Sequence, residues 1–142
     1  MTGLVSTAKV HVAAPPERVW AALTEPEQIE QYLLGARVTS DWTPGSPITW
    51  EGEYDGRAYA DKGEVLVAEP GRLLQVTHYS PLSGQPDEPA SYHTLTYLLE
   101  PVDAGTRLVL TQDNNASTDE VAHTGAFWQA MLDRLKGVVE AD

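Results

Sequence analysis

Two histidines, a glutamine and a set of aromatic side chains are the residues of this chain best equipped to hold a ligand or move a proton. In a strand ending near Ser80, His78 shares a side with Leu74 and Val76. In the next, His93 shares a side with Leu95, Tyr97 and Leu99, and in the last, Gln112 shares one with Leu108 and Leu110. Antiparallel order brings His78, His93 and Gln112 to one end of a sheet. Polar groups at the mouth of an apolar cavity orient a small molecule over its floor. Trp50, Tyr59, Tyr97 and Trp128 are the expected walls. Gly125, on the apolar stripe of a helix, either lets that helix pack closely or leaves room for a ligand. An imidazole titrates near neutral pH, so His78 or His93 is also the candidate general base.

Other chemistries lack their residues. The 142 residues include no cysteine, which removes thiol nucleophiles, disulfides, zinc ribbons and iron–sulfur clusters. Two histidines on neighbouring strands, with Asp61 or Asp113 beside them, raise the question of a metal. No His-x-x-x-His spacing answers it, and no metal is expected. A Gly-x-Ser-x-Gly elbow, a phosphate loop and a dinucleotide fingerprint are all missing, so no cofactor is expected. Nine basic against 21 acidic residues leave a formal net charge of −12, which argues against nucleic acid and against an anionic membrane surface. Met1 to Val12 has no apolar core of a signal peptide, and no apolar run approaches the roughly 20 residues of a membrane span. A cytoplasmic location is expected.

The elements that must position these side chains can be read from pattern. Val5–Ala14 alternates as a half-buried strand, and Pro15-Pro16 ends it. Residues 17–23 and 27–33 read as two short helices separated by Pro26, with Trp20 as an anchor of the first. Six strands follow, at 36–41, 48–54, 57–69, 72–80, 91–100 and 106–114. Pro44-Gly45, Asp55-Gly56, Pro70-Gly71 and Asp103-Ala104-Gly105 supply turns. A bulge near Gly63 reconciles the mixed alternation of the long third strand of this run. Glu51, Glu53 and Asp55 read as a solvated face. Ser80 to Pro89 holds three prolines and reads as an irregular loop closing the mouth. Ser117 and Glu120 form a capping box ahead of a stripe through Val121, Gly125, Trp128, Leu132, Leu135 and Val139, about 34 Å of helix. Strands segregated from one long helix make an α+β fold over residues 1–142 as one domain. A sheet of six to seven strands is much wider than one helix, so a curled sheet with a gap beneath it is the physical expectation.

The segment from Val10 to Tyr32, with Pro15-Pro16-Glu17-Arg18-Val19-Trp20 at its centre, resembles the opening of the helix-grip, START-like (SRPBCC) superfamily. It is most similar to the branch of the activator of heat-shock-90 ATPase. Gly63-Glu-Val through Pro70 to Leu74, Leu99-Glu-Pro through Gly105 to Leu108, and Trp128 to Lys136 resemble that branch's later strand pair, hairpin and C-terminal helix. Tyr32 stands where the family often has Trp, and His78 where it often has an aromatic residue.

The resemblance implies a curved antiparallel sheet around a long C-terminal helix, with two short helices after the first strand. It also implies a cavity for a small apolar or aromatic molecule. Two other functions belong to the superfamily: a cyclase or dehydratase using a histidine base, and a stress-related, co-chaperone-like interaction domain. A homodimer is compatible with the last. An apolar outer sheet face would favour it, and a polar one would weaken it.

Overall fold

The computed structural model of the chain describes residues 3–141, with Tyr54 described by its backbone alone; Met1, Thr2 and Asp142, at the ends of the span expected to form one domain, lie outside the described residues. The element order is β1 (Leu4–Val12), α1 (Pro16–Thr24), α2 (Pro26–Tyr32), β2 (Arg37–Ser40), β3 (Pro47–Tyr54), β4 (Arg57–Glu69), β5 (Leu73–His78), β6 (His93–Val102), β7 (Gly105–Asn115) and α3 (Thr118–Glu140). Consecutive strands from β2 to β7 pair, all but β5 and β6 through short connections, and β1 closes onto the last strand, giving a seven-stranded sheet ordered β1-β7-β6-β5-β4-β3-β2. The result is an α+β helix-grip fold, a curved antiparallel sheet gripping one long helix.

Local chemistry fixes the boundaries. Proline opens both short helices. Glu25, which precedes Pro26, is held extended at φ −93°, ψ 117°, so one proline ends α1 and begins α2. At α3 the Ser117 hydroxyl accepts from the Glu120 N–H at 3.1 Å, and the Glu120 carboxylate accepts from the Ala116 N–H at 3.2 Å. The loop after β5 is less irregular than its prolines suggest. It contains two single turns of 3-10 helix, Pro81–Ser83 and Pro89–Ser91.

Two glycines set the path of the sheet. Asp55 (φ 52°) and Gly56 (φ 77°) are both left-handed, the backbone of a tight hairpin turn, and they bring Trp50 opposite Asp61 and Gly52 opposite Tyr59. At Gly63 the chain pairs with Ile48 of β3 on one side and passes close to Thr77 of β5 on the other. A Cβ there would lie 1.7 Å from the carbonyl oxygen of Thr77, so no larger residue fits without moving β5. The bulge expected near Gly63 lies slightly later, as a register shift between Val65 and Val67.

The core is unevenly filled. Along α3 the fully buried residues are Met131, Leu132, Leu135 and Val139, all in its C-terminal half. Val19, Ala22 and Leu23 of α1 and Ile29 and Tyr32 of α2 cover that end, and Trp20 is half-buried at its edge. The Tyr32 hydroxyl donates to the Ala22 carbonyl at 2.7 Å and Arg134 Nε donates to the Tyr32 carbonyl at 2.8 Å, tying the three helices together. The N-terminal half of α3 is held mainly by polar contacts. Thr124 lies 3.0 Å from Ser6 Oγ and 3.1 Å from Asn115 Oδ1, and Trp128 Nε1 donates to Gln112 Oε1 at 2.6 Å.

Candidate functional site

Under that N-terminal half the sheet and helix leave a cavity of about 290 Å³. The β3–β4 hairpin register builds one wall. Trp50 and Asp61 are cross-strand partners on the inner face, and two residues on, Tyr59 lies across Gly52. That glycine makes room for the ring, since a Cβ at Gly52 would lie 2.8 Å from the Tyr59 hydroxyl. Tyr97 of β6 forms part of the floor. Phe127 and Trp128 of α3 form the opposite wall, with His123 one turn earlier. Leu33 and Leu34 close one side of the mouth and Ser80 and Leu82 the other, with Glu53 also lining it. Leu34 and Leu82 are exposed, at 53% and 45%.

His78 is the polar centre of this space. Its Nε2 is 2.9 Å from Asp61 Oδ2, and its ring meets Trp50 edge-on with centroids 4.9 Å apart. An ionised carboxylate only accepts, so Nε2 carries the proton and donates, and Nδ1 holds the ring's lone pair unless the imidazole is doubly protonated. Asp61 Oδ1 is sealed from solvent and has no hydrogen-bond partner among the described residues. Burial, and then the negative charge of Asp61, push the Tyr59 hydroxyl above its ordinary value, and burial alone raises Tyr97. Both phenols therefore remain donors at neutral pH.

The loop over the mouth is pinned by tyrosines. Tyr79 and Tyr92 stack with centroids 5.2 Å apart. The Tyr79 hydroxyl donates to the Gln85 carbonyl at 2.7 Å and the Tyr92 hydroxyl to Asp87 at 2.7 Å, while Lys62 pairs with the same aspartate.

Of the residues singled out from sequence, Trp50, Tyr59, His78, Tyr97 and Trp128 line the cavity. His93, Gln112 and Gly125 do not. His93 stands opposite His78 in register, but its Nδ1 donates to the Asp113 carbonyl at 2.9 Å, which turns the ring to the strand end. Gln112 is buried behind the wall, where its Oε1 accepts from Trp128 Nε1 at 2.6 Å. Gly125 faces β1, and its nearest neighbour is Ser6. Glu53, expected on a solvated face, is exposed and reaches the cavity mouth. Phe127, Leu33, Leu34, Leu82 and His123 join the site without a signal in the alternation pattern. Asp61, which the sequence suggests only as a metal ligand, is the hydrogen-bond partner of His78. Among the described residues no three His, Cys, Asp or Glu side chains cluster to hold a metal ion. No helix among them is long and apolar enough to cross a membrane.

Known proteins share this fold. A Cytophaga hutchinsonii protein solved in solution is 42% identical, with a TM-score of 0.85 over 99% of this chain and 97% of its own. The Aha1 dimer of Colwellia psychrerythraea, 21% identical, superposes with a TM-score of 0.76 over 96% of each chain. DynU16, from the dynemicin biosynthetic locus, is 23% identical with a TM-score of 0.79, and the match spans 96% of this chain but 47% of DynU16. At these lower identities the likeness is one of fold. No curated protein matches the chain. The family model described as activator of Hsp90 ATPase homolog 1-like protein matches residues 13–140, and the chain belongs to that family, within the START-like, SRPBCC fold.

Proposed function

We propose that this protein binds a small apolar or aromatic molecule in the cavity between its sheet and C-terminal helix. One observation carries the reading: aromatic walls from Trp50, Tyr59, Tyr97, Phe127 and Trp128 surround a space that the fold leaves unfilled. At about 290 Å³ it stands at the lower end of the roughly 300–1,000 Å³ typical of ligand pockets. Burying about 200 Å² of an aromatic ligand gains roughly 5 kcal/mol at ~25 cal/mol per Å². Loss of translational freedom offsets much of that. Contact alone therefore gives a weak ligand, and the polar groups must supply the rest.

The test is native mass spectrometry of the purified protein, then solvent extraction of anything it releases, alongside calorimetric titration with 2-(2-naphthyl)ethanol. A co-purifying apolar molecule, or saturable one-to-one binding of the probe that Trp128→Ala weakens, supports the reading. An apo mass together with no probe binding overturns it.

The His78–Asp61 pair favours a second reading, an enzyme in which His78 is the base and Asp61 holds its tautomer. His78→Gln would then abolish turnover of a bound substrate while sparing its affinity. The outer face of the sheet gives less support to an interaction domain. Thr7, Thr111, Thr96 and Gln75 form a polar row across four strands; beside it lie the half-buried Leu73, Leu98 and Val109, and on β4 the row meets Val67, with Leu66 exposed next to it.

A further inference from the structure

We infer that the cavity selects aromatic amines over aromatic acids, with the ammonium group of the ligand drawn to the carboxyl of Asp61 and its ring held against Trp50, Tyr59 and Trp128. The inference rests on the binding reading above and names its substrate class. Three observations carry it.

The first is the state of Asp61. A carboxylate offers about four acceptor sites; among the described residues this one takes a single bond, from His78, and Oδ1 is buried without a partner. A buried carboxylate so poorly satisfied is costly, and a charged donor entering beside it recovers that cost. Asp61 lines the cavity with 14% of its side chain exposed. The terminal torsion of an aspartate is soft, so the carboxyl turns toward an incoming donor without leaving its rotamer well.

The second is the charge census. Among the described residues the lining contains two carboxylates, Glu53 and Asp61, and two histidines, His78 and His123, but no lysine or arginine. A bound carboxylate or phosphate would meet Asp61 with nothing but His78 and His123 to balance it. The negative charge that raises the Tyr59 hydroxyl would repel that anion and attract a cation.

The third is the kind of wall. Indole and phenol faces attract an ammonium group, most strongly where water is excluded.

Three probes of one shape separate this inference from the reading beneath it: 2-(2-naphthyl)ethylamine, 2-(2-naphthyl)ethanol and 2-naphthylacetate, titrated calorimetrically at about 150 mM salt, where long-range attraction is screened, into the wild-type chain, Asp61→Asn and Glu51→Gln. Glu51 is exposed and does not line the cavity. Its variant therefore measures the general pull of an acidic protein on any cation. An asparagine side chain at this position keeps the shape and still accepts from His78. The alcohol reports the cavity. If none of the three binds, the binding reading falls and this inference with it. If the alcohol binds, the amine is expected to bind about tenfold or more tighter than the acid, as one charge-assisted hydrogen bond provides. Asp61→Asn should bring the two within about threefold, less than one such bond provides, while Glu51→Gln leaves the gap intact. An acid that binds as tightly as the amine to the wild type overturns the inference while the cavity reading stands. An amine preference that survives Asp61→Asn does the same.

Discussion

Gly52→Ala isolates the cavity wall from the stability of the fold. Gly52 lies in mid-strand opposite Tyr59 and is not among the residues with a left-handed backbone, so an alanine there has no conformational strain to meet. Its Cβ would stand 2.8 Å from the Tyr59 hydroxyl, 3.0 Å from Cζ and 3.2 Å from Cε1. Reaching ordinary contact at 3.4 Å moves the tip of the ring by about 0.6 Å. The tip belongs to a half-buried side chain with two free torsions, and an off-rotamer shift costs about 0.5–1.5 kcal/mol. Replacing a strand glycine returns about 0.5–1 kcal/mol by restricting the unfolded chain. The two nearly cancel. The melting temperature should stay within about 3 °C of wild type, given roughly 2–4 °C per kcal/mol for a chain of this size.

Affinity for 2-(2-naphthyl)ethanol has no such compensation. A displaced Tyr59 ring forfeits an aromatic contact of about 0.5–1.5 kcal/mol, a loss of roughly 2- to 13-fold. Thermal melts by circular dichroism and calorimetric titration read the two effects separately. A fall of more than about 10 °C would refute the reasoning, because the backbone rather than the ring tip would then be taking the strain. Unchanged affinity with unchanged stability would refute it in the other direction, by removing Tyr59 from the wall. In a Tyr59→Leu background the ring tip is gone, so adding Gly52→Ala should no longer incur the off-rotamer cost, and the two substitutions should be non-additive in stability.

Gly63→Ala should abolish cooperative unfolding in a melt, since a Cβ 1.7 Å from the Thr77 carbonyl cannot be relieved by a side chain. Gly125→Ala should stabilise by about 1 kcal/mol and leave probe affinity unchanged, because its methyl group meets Ser6 Cβ at an ordinary 3.8 Å. Trp128→Phe leaves the Gln112 amide oxygen buried without its donor, a cost of about 1–3 kcal/mol readable as a lowered denaturant midpoint. The hydrogen bond from Lys62, then that from Tyr92, hold the Asp87 carboxyl below its ordinary value of 3.8. A depressed folded value means that this contribution is present above pH 3.8 and fades as pH falls through the lower folded value, so protection factors for amide exchange in the 80–92 loop should fall there. In Asp87→Asn the same loss of protection should already be present at neutral pH.

The order of the elements was legible in the sequence because each boundary has a local cause: a proline at each short helix, Ser117 and Glu120 at the long one, and a two-residue turn at Asp55-Gly56. That turn determines more than a chain reversal. With residues 54 and 57 closing the hairpin, Trp50 must oppose Asp61 and Gly52 must oppose Tyr59. Half of the cavity wall follows from that register. The misplacements of Gln112 and Gly125 trace to where the helix crosses, and that of His93 to its hydrogen bond with the Asp113 carbonyl, which holds the ring at the strand end. Alternation assigns a side chain to a face of the sheet, but not to a place under the helix. That place depends on where α3 crosses, and α3 lies along the edge strand β1, beside β7. Residues beneath the crossing are covered, and those toward β3 and β4 are not. Phe127 carries no signal in the pattern because it stands one position off the buried stripe, which is what a residue facing an unfilled space does.

The polar contacts at the start of α3 explain why that space persists. An apolar stripe continuing through Val121 and Thr124 at the depth of Leu132 would draw the helix down onto the sheet. Instead Thr124 bonds to Ser6 and Asn115, and Trp128 is held by Gln112, so the N-terminal half is positioned by hydrogen bonds of fixed length. A hydrogen bond keeps its partners near ~3 Å, whereas apolar packing collapses until voids vanish. Thr124→Val with Ser6→Ala removes one such strut as a matched pair. The helix start should then settle toward the sheet, with stability nearly unchanged because the two hydroxyls are removed together and Asn115 Oδ1, which loses Thr124, still accepts from Gln112 Nε2 at 3.3 Å. Crystal structures of the two forms would show a smaller cavity in the variant, and probe affinity should fall with it. A cavity of unchanged volume would mean that the grip of the sheet, rather than the polar struts, holds the space open.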